Sequence, residues 1–185
     1  MNNENLCIFI TVERKQNMEM KYCMECGTKL EMKYLEADGK EVPYCPECKD
    51  YRFPVFNTAV SMIVMNGNKD KILLIKQYGR DSYILVAGYV NKGEDAEDAV
   101  RREVKEEMDL DVKTIHFNHS HYFKPSNTLM LNFTVTVEGE PHPNEEIDSW
   151  YVFSIDEARK NIRRPSLAQA FLDGYLDKEY HWPEY

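Results

Sequence analysis

The stretch Gly88-Tyr-Val-Asn-Lys-Gly-Glu94-Asp-Ala-Glu-Asp-Ala-Val-Arg-Arg102-Glu103-Val-Lys-Glu106-Glu107-Met-Asp-Leu110 decides how this chain is read. Asp95 stands where a helix N-cap belongs, and Glu97 and Asp98 suit the positive end of a helix dipole. Ala96, Val100 and Val104 recur every fourth residue, so the spacing predicts a helix over 95–108 with that stripe buried. Glu103, Glu106 and Glu107 then fall at i, i+3 and i+4, within about 100° of the helix circumference. Carboxylates that close repel one another and partly protonate unless a cation lies among them. Mg2+ and Mn2+ prefer oxygen donors of this kind and keep positions open for water and phosphate oxygens. That is the equipment for metal-assisted attack of water on a phosphoanhydride. The bland alternative is a solvated acidic face on an ordinary helix.

Before the helix, residues 58–65 and 71–77 read as strands around an Asn66-Gly67-Asn68 turn. Residues 82–87 form a short β-rich run that Gly88 follows. Beyond the helix, residues 112–123, 128–138 and 149–153 read as three more strands. Ser154 with Glu157 has the form of a capping box, and Ser166 with Gln169 repeats it after Pro165. The order predicts an α+β domain, a mixed sheet with a few helices, over 53–185.

Upstream, four of five cysteines form two tight pairs, Cys23/Cys26 and Cys45/Cys48, with eighteen residues between them. Each two-residue gap lets both sulfurs reach one ion, so the four are assigned to one structural Zn2+ whose closed shell leaves no position for water. A redox pair or an Fe–S site are the rivals, but a redox CxxC sits at a helix start in a thioredoxin-like pattern absent here. The charged segment between the pairs, with its Asp38-Gly39 turn signal, suits a hairpin. Residues 18–52 hold too few apolar side chains for a core, and metal supplies the staple. Residues 1–17 read as an extension, with Met18 an alternative start and Cys7 an inert thiol.

The 185 residues carry 23 Lys and Arg against 32 Asp and Glu, a formal charge of −9. That balance disfavours general nucleic-acid binding by bulk electrostatics, while a nucleotide substrate remains open through bridging divalent ions. No run approaches the roughly 20 apolar residues of a membrane span, and no secretory signal opens the chain. A cytoplasmic protein with reduced thiols is the expectation.

The 88–110 segment resembles the Nudix box, Gx5Ex7REUxEExGU with U aliphatic. Gly88, Glu94, Arg102, Glu103, Val104, Glu106, Glu107 and Leu110 fall on its fixed positions, and Asp109 replaces the glycine that ends the helix in a left-handed conformation. The resemblance implies a Nudix α/β/α sandwich and a metal-dependent pyrophosphohydrolase. It implies that Glu103, Glu106 and Glu107 hold catalytic Mg2+ or Mn2+, with Glu106 or Glu107 helping to activate water. Arg102 would orient the glutamates, Glu94 would support the loop, and Gly88 would let the backbone, next to Tyr89, approach metal and phosphate.

A zinc ribbon before this box is similar to the NADH pyrophosphatase (NAD diphosphatase) branch. That branch carries an array SQPWPFPxSLM, and residues 120–130 match its length and its Ser120, Leu129 and Met130 anchors, with Phe123 at the tryptophan and without the Gln and the three prolines. Tyr122 or Phe123 could stack a nicotinamide or adenine ring, ordinary sheet packing being the alternative. Glu146-Ile147-Asp-Ser-Trp150 aligns with a segment whose glutamate is a remote metal ligand. The resemblance implies hydrolysis of NADH or NAD+ to AMP and a nicotinamide mononucleotide, allows a homodimer, and allows NAD-capped RNA as substrate. Another Nudix substrate (ADP-ribose, a dinucleoside polyphosphate, an oxidised nucleotide) is the chief rival. A nucleotide-sensing regulatory module is the rival from another class. His119 and His121 share one side of a strand, where a second zinc or hydrogen bonding to neighbours would explain them.

Overall fold

The computed structural model describes residues 20–184. The readings of residues 1–17, Met18 and Cys7 lie outside them. The described chain divides into two compact units, one within Glu13–Phe56 and the other running from Asn57.

In the first unit, β1 (Glu31–Leu35), β2 (Lys40–Cys45) and β3 (Asp50–Tyr51) make an antiparallel sheet in that order. The β1–β2 hairpin turns at Asp38-Gly39, where Gly39 takes a positive φ of 63°. Only Cys23, Val42, Cys45 and Arg52 are buried in this unit among the described residues, too little for an ordinary apolar core. A cysteine cluster at the base of the hairpins is consistent with a zinc ribbon.

The second unit is built on a six-stranded mixed sheet, ordered β7-β8-β4-β5-β9, with the short β6 also paired to β4. Its strands are β4 (Asn57–Met65), β5 (Lys71–Gln77), β6 (Val86–Tyr89), β7 (Asp111–Phe123), β8 (Thr128–Glu138) and β9 (Ile147–Ser154). β4 and β8 run parallel and the remaining pairs are antiparallel. The helices are α1 (Ala96–Met108), α2 (Ile155–Asn161) and α3 (Leu167–Asp177).

Register sorts side chains by face, because strand residues alternate and paired residues point the same way. Val60 pairs with Gly88 and with Leu131, and a side chain built on Gly88 would meet Glu103 of α1, so this face carries α1. The other face holds Ser61, Asn132 and Met65, and Tyr175 of α3 donates to the Met65 sulfur. The sheet is thus sandwiched between α1 and α3, the α/β/α arrangement expected. No helix among the described residues is long and apolar enough to cross a membrane.

Local differences from the sequence reading have simple causes. The run expected as a strand over 82–87 pairs continuously only from Val86 through Tyr89. Tyr83 and Ile84 form isolated bridges instead. Gly88 is therefore inside the strand rather than after it. In α1, Val100 and Val104 are fully buried as expected, but Ala96 at the first turn is only half-buried, and Ala99 and Met108 complete the stripe. Asp95 takes the N-cap position without a side-chain cap bond, its carbonyl accepting from Asp98 and Ala99. Ser154 and Glu157 form both bonds of a capping box, and Ser166 accepts from the Gln169 amide.

Candidate functional site

The site is built where α1 crosses β6. A Cβ on Gly88 would lie 1.9 Å from the Glu103 carboxyl carbon, so only glycine lets that carboxylate lie against the strand. Glu103 fills the space that a side chain on Gly88 would need. Arg102 gathers the neighbouring acids. Its Nε donates to Glu94 (2.7 Å), one terminal nitrogen to Glu103 (2.7 Å) and Glu106 (3.0 Å), and the other to Glu94 (3.0 Å) and the Tyr89 carbonyl (2.9 Å). Glu94 also accepts from the Asn91 amide at 2.9 Å, which closes the loop before α1. Helix and loop are thereby held by one guanidinium fork.

The acids differ sharply in electrostatics. The Arg102 guanidinium, then the Asn91 amide, hold the Glu94 carboxyl down at about 2. Burial pushes Glu103 above the usual carboxylate range despite Arg102. Burial, then the charges of Glu103, Glu146 and Glu106, push Glu107 up to about 8. Glu107 is 6% exposed, and its Oε2 is buried without a hydrogen-bond partner. Glu106 is exposed on the same side of the helix.

Glu146 reaches this group from the loop before β9. The Asn144 amide donates to the Glu107 carbonyl (3.1 Å) and the His142 amide to the Met108 carbonyl (2.9 Å), tying that loop to the end of α1. The Tyr78 hydroxyl donates to Glu146 at 3.0 Å, and Asp148 accepts from the Gly79 amide at 2.6 Å. Four carboxylates thus share one neighbourhood, one of them with an orphaned buried oxygen. Carboxylate oxygens are the donors a hard divalent cation takes, and such an ion would compensate both the mutual repulsion felt by Glu107 and its unpaired oxygen. The helix ends as the sequence suggests: Asp109 sits at φ 54°, ψ 29°, its carboxylate 2.7 Å from the Lys105 ammonium.

The two aromatics part company. Tyr122 pairs with Leu129 on the face that carries α1, is 47% exposed, and donates to Asn127 at 2.5 Å. Phe123 points to the opposite face and is buried in the core. His119 and His121 lie on that opposite face too, packed against Tyr180 and stacked on Trp182 of the C-terminal tail.

In the first unit, the sulfurs of Cys23 and Cys48 stand 3.8 Å apart and those of Cys26 and Cys45 3.5 Å, and all four lie within 4.8 Å of one another. A tetrahedron with Zn–S bonds of about 2.3 Å has sulfurs ~3.8 Å apart, whereas a disulfide needs about 2.05 Å. The Cys26 backbone first, with Arg52 contributing, holds the Cys23 thiol down at about 6, while hydrogen bonds from Cys26 and Cys45 push Cys48 up to about 12. Among the described residues the four cysteines are the set of three or more such side chains already drawn within 4.8 Å of one another; neither the glutamates of α1 with Glu146 nor the histidine pair makes such a set, so a cation at the glutamates would have to draw their oxygens together. Two further residues touch these groups, Tyr78 at Glu146 and Arg52 at Cys23. Neither stands in a motif, and only the folded chain carries Tyr78 to Glu146 and Arg52 to Cys23.

Fold and site together define a class: a sandwich with an acidic helix laid over a glycine-bearing strand. The NUDIX domain model matches residues 55–172. The chain is 32% identical over 160 residues to the NAD-capped RNA hydrolase NudC of Pseudomonas aeruginosa, a match covering 84% of this chain and 55% of that protein. It is 31% identical over 169 residues to NudC of Stutzerimonas stutzeri, covering 89% and 59%. The chain therefore spans little more than half the length of these relatives. The crystal structure of a NUDIX hydrolase from Nitrosomonas europaea shares the fold, with a TM-score of 0.61 at 19% identity over 89% of this chain and 97% of that one. The chain belongs to the Nudix family.

Proposed function

We propose that the protein is a metal-dependent pyrophosphohydrolase acting on a nucleoside diphosphate linked to a second group, with NADH or NAD+ cut to AMP and nicotinamide mononucleotide. The observation that carries this reading is the orphaned, buried Glu107 oxygen among Glu103, Glu106 and Glu146. Glu103, Glu106 and Glu107 would hold Mg2+ or Mn2+, with Glu146 a remote fourth ligand. When bound, the cation supplies neutralisation of the pyrophosphate charge and a more acidic attacking water.

The chain's own side chains do the rest. Arg102, fixed on four acceptors including Glu94, keeps Glu103 and Glu106 aimed to one side of the helix. Glu106, exposed on that side, takes the proton of the attacking water. Glu103, lying against Gly88, brings its charge up to the strand backbone. Tyr122, on the same face of the sheet, offers an aromatic surface for a nicotinamide or adenine ring. The Cys23, Cys26, Cys45 and Cys48 cluster holds structural Zn2+, in keeping with reduced thiols in the cytoplasm.

NAD-capped RNA is a second reading, favoured by the names of the Pseudomonas and Stutzerimonas relatives. The formal charge of −9 favours the free dinucleotide over a long polyanion. Product analysis by chromatography and mass spectrometry decides between them. Purified protein with Mg2+ or Mn2+ is given NADH, NAD+, NAD-capped RNA, ADP-ribose and a diadenosine polyphosphate separately. AMP and reduced nicotinamide mononucleotide, formed fastest from NADH, are expected. Faster cleavage of another compound reassigns the substrate, and silence on all five favours a nucleotide-sensing module.

A further inference from the structure

The Cys23 sulfur accepts a hydrogen bond from Arg52 Nε at 3.3 Å. Arg52 is 7% exposed, an unusual depth for a guanidinium in a unit with almost no core. Its two terminal nitrogens are held by Glu25 at 2.6 Å and Asp50 at 2.7 Å, and its own amide donates to the Pro43 carbonyl at 2.7 Å. Glu25 lies between the cysteines of the first pair and Asp50 just beyond the second, so the fork spans both. The two carboxylates are 69% and 68% exposed, and exposed ion pairs contribute little to stability by themselves. What they do is aim the guanidinium, so that Nε faces the sulfur.

We propose that Arg52 is the charge-compensating residue of the cysteine centre and keeps it loaded by donating to Cys23, an inference that rests on reading that centre as a zinc site. Four thiolates around one divalent ion leave a net negative centre, and Cys23 and Cys45 are buried. A fixed cation at one sulfur offsets that excess and raises metal affinity, as outer hydrogen bonds to ligands do elsewhere. Lysine, a point charge without a planar fork, cannot serve the sulfur and both carboxylates together.

The test uses the full chain, stripped and reloaded with Zn2+ or Co2+, as wild type, Arg52→Gln, Arg52→Lys and the Glu25→Gln/Asp50→Asn double variant. Chelator competition for Zn2+ is expected to show a loss of affinity of about 10–100-fold in Arg52→Gln, with Arg52→Lys and the double variant between. The sulfur-to-cobalt charge-transfer band is expected to move to longer wavelength in the same order, a shift that a purely structural cross-link would not produce. Should Arg52→Gln fail to fold, the other two variants carry both readouts. Wild-type metal binding with unchanged affinity and band in the variants overturns the role of Arg52 alone. Wild-type protein that binds neither Zn2+ nor Co2+ overturns the zinc reading, and this inference with it.

Discussion

Glu103 occupies the space a side chain on Gly88 would need: a Cβ there would stand 1.9 Å from the Glu103 carboxyl carbon and 2.0 Å from Oε1. The strand and the helix are therefore matched at one atom-sized gap. Gly88→Ala is expected to displace the carboxylate and cost about 1–3 kcal/mol of stability through overpacking. Misplacing a ligand by about 1 Å is expected to lower kcat/KM about 100-fold. Denaturant melts and steady-state kinetics check the two effects separately.

Glu107 sets a pH dependence. In the absence of divalent cation its folded carboxyl is raised to about 8 from an ordinary value of 4.5, so the folded protein binds a proton that the unfolded chain has released between those values. The resulting contribution to stability is fully present below 4.5 and is lost as pH rises through about 8. Thermal melts from about pH 6 to about pH 9 are expected to show the wild type losing more stability than Glu107→Gln. Added Mg2+ should stabilise the wild type more at the alkaline end, where it no longer competes with the proton. Parallel curves for the two proteins would contradict this.

Asp109 ends α1 in the left-handed region at φ 54°, where asparagine, aspartate and glycine are tolerated and β-branched residues are not. Its ion pair with Lys105 is half-exposed and adds little. Asp109→Gly is expected to gain about 0.5 kcal/mol and Asp109→Val to lose about 1–2 kcal/mol. Chemical denaturation measures both, and activity at saturating cation should hardly move in the glycine variant.

The C-terminal tail is held by Gly174. A Cβ there would lie 2.1 Å from a Tyr180 ring carbon, and Trp182 stacks on His121 with ring centroids 4.0 Å apart. Glycine to alanine within a helix ordinarily stabilises by about 0.5–1 kcal/mol. Here Gly174→Ala is expected to destabilise instead, by lifting the tail. Trp182 fluorescence, read in a Trp150→Phe background, should move to longer wavelength. An unmoved spectrum with a gain in stability would show that the tail does not depend on this gap.

Much of this was legible in the sequence because the decisive signals are local. The helix period and its cap fix α1 to within one residue, the capping box at Ser154 forms as written, and the cysteine spacing gathers four sulfurs. The clustering of Glu103, Glu106 and Glu107 follows from helix geometry alone. What stayed hidden depends on distant parts of the chain meeting. Gly88 reads as the residue after a strand until β4 pairs with it, and Phe123 reads as a twin of Tyr122 until a β-bulge in β7 between Phe117 and His119 and the pairing with β8 settle which face each takes. Tyr78 meets Glu146 only because β5 and β9 are neighbours. The histidine pair left a second zinc and hydrogen bonding to neighbours both open; His119 Nδ1 lies 2.6 Å from the Ser120 carbonyl oxygen, and the tail supplies aromatic partners that no spacing rule announces.

Glu107 and its neighbours are expected to form a divalent-cation site. Mn2+ binding to the zinc-loaded protein can be followed by the electron paramagnetic resonance of free Mn2+. Wild type is expected to deplete the free-ion signal, and Glu107→Gln to bind at least about tenfold more weakly while keeping its fold and its zinc. Equal Mn2+ binding by the two proteins would contradict a cation site at Glu107.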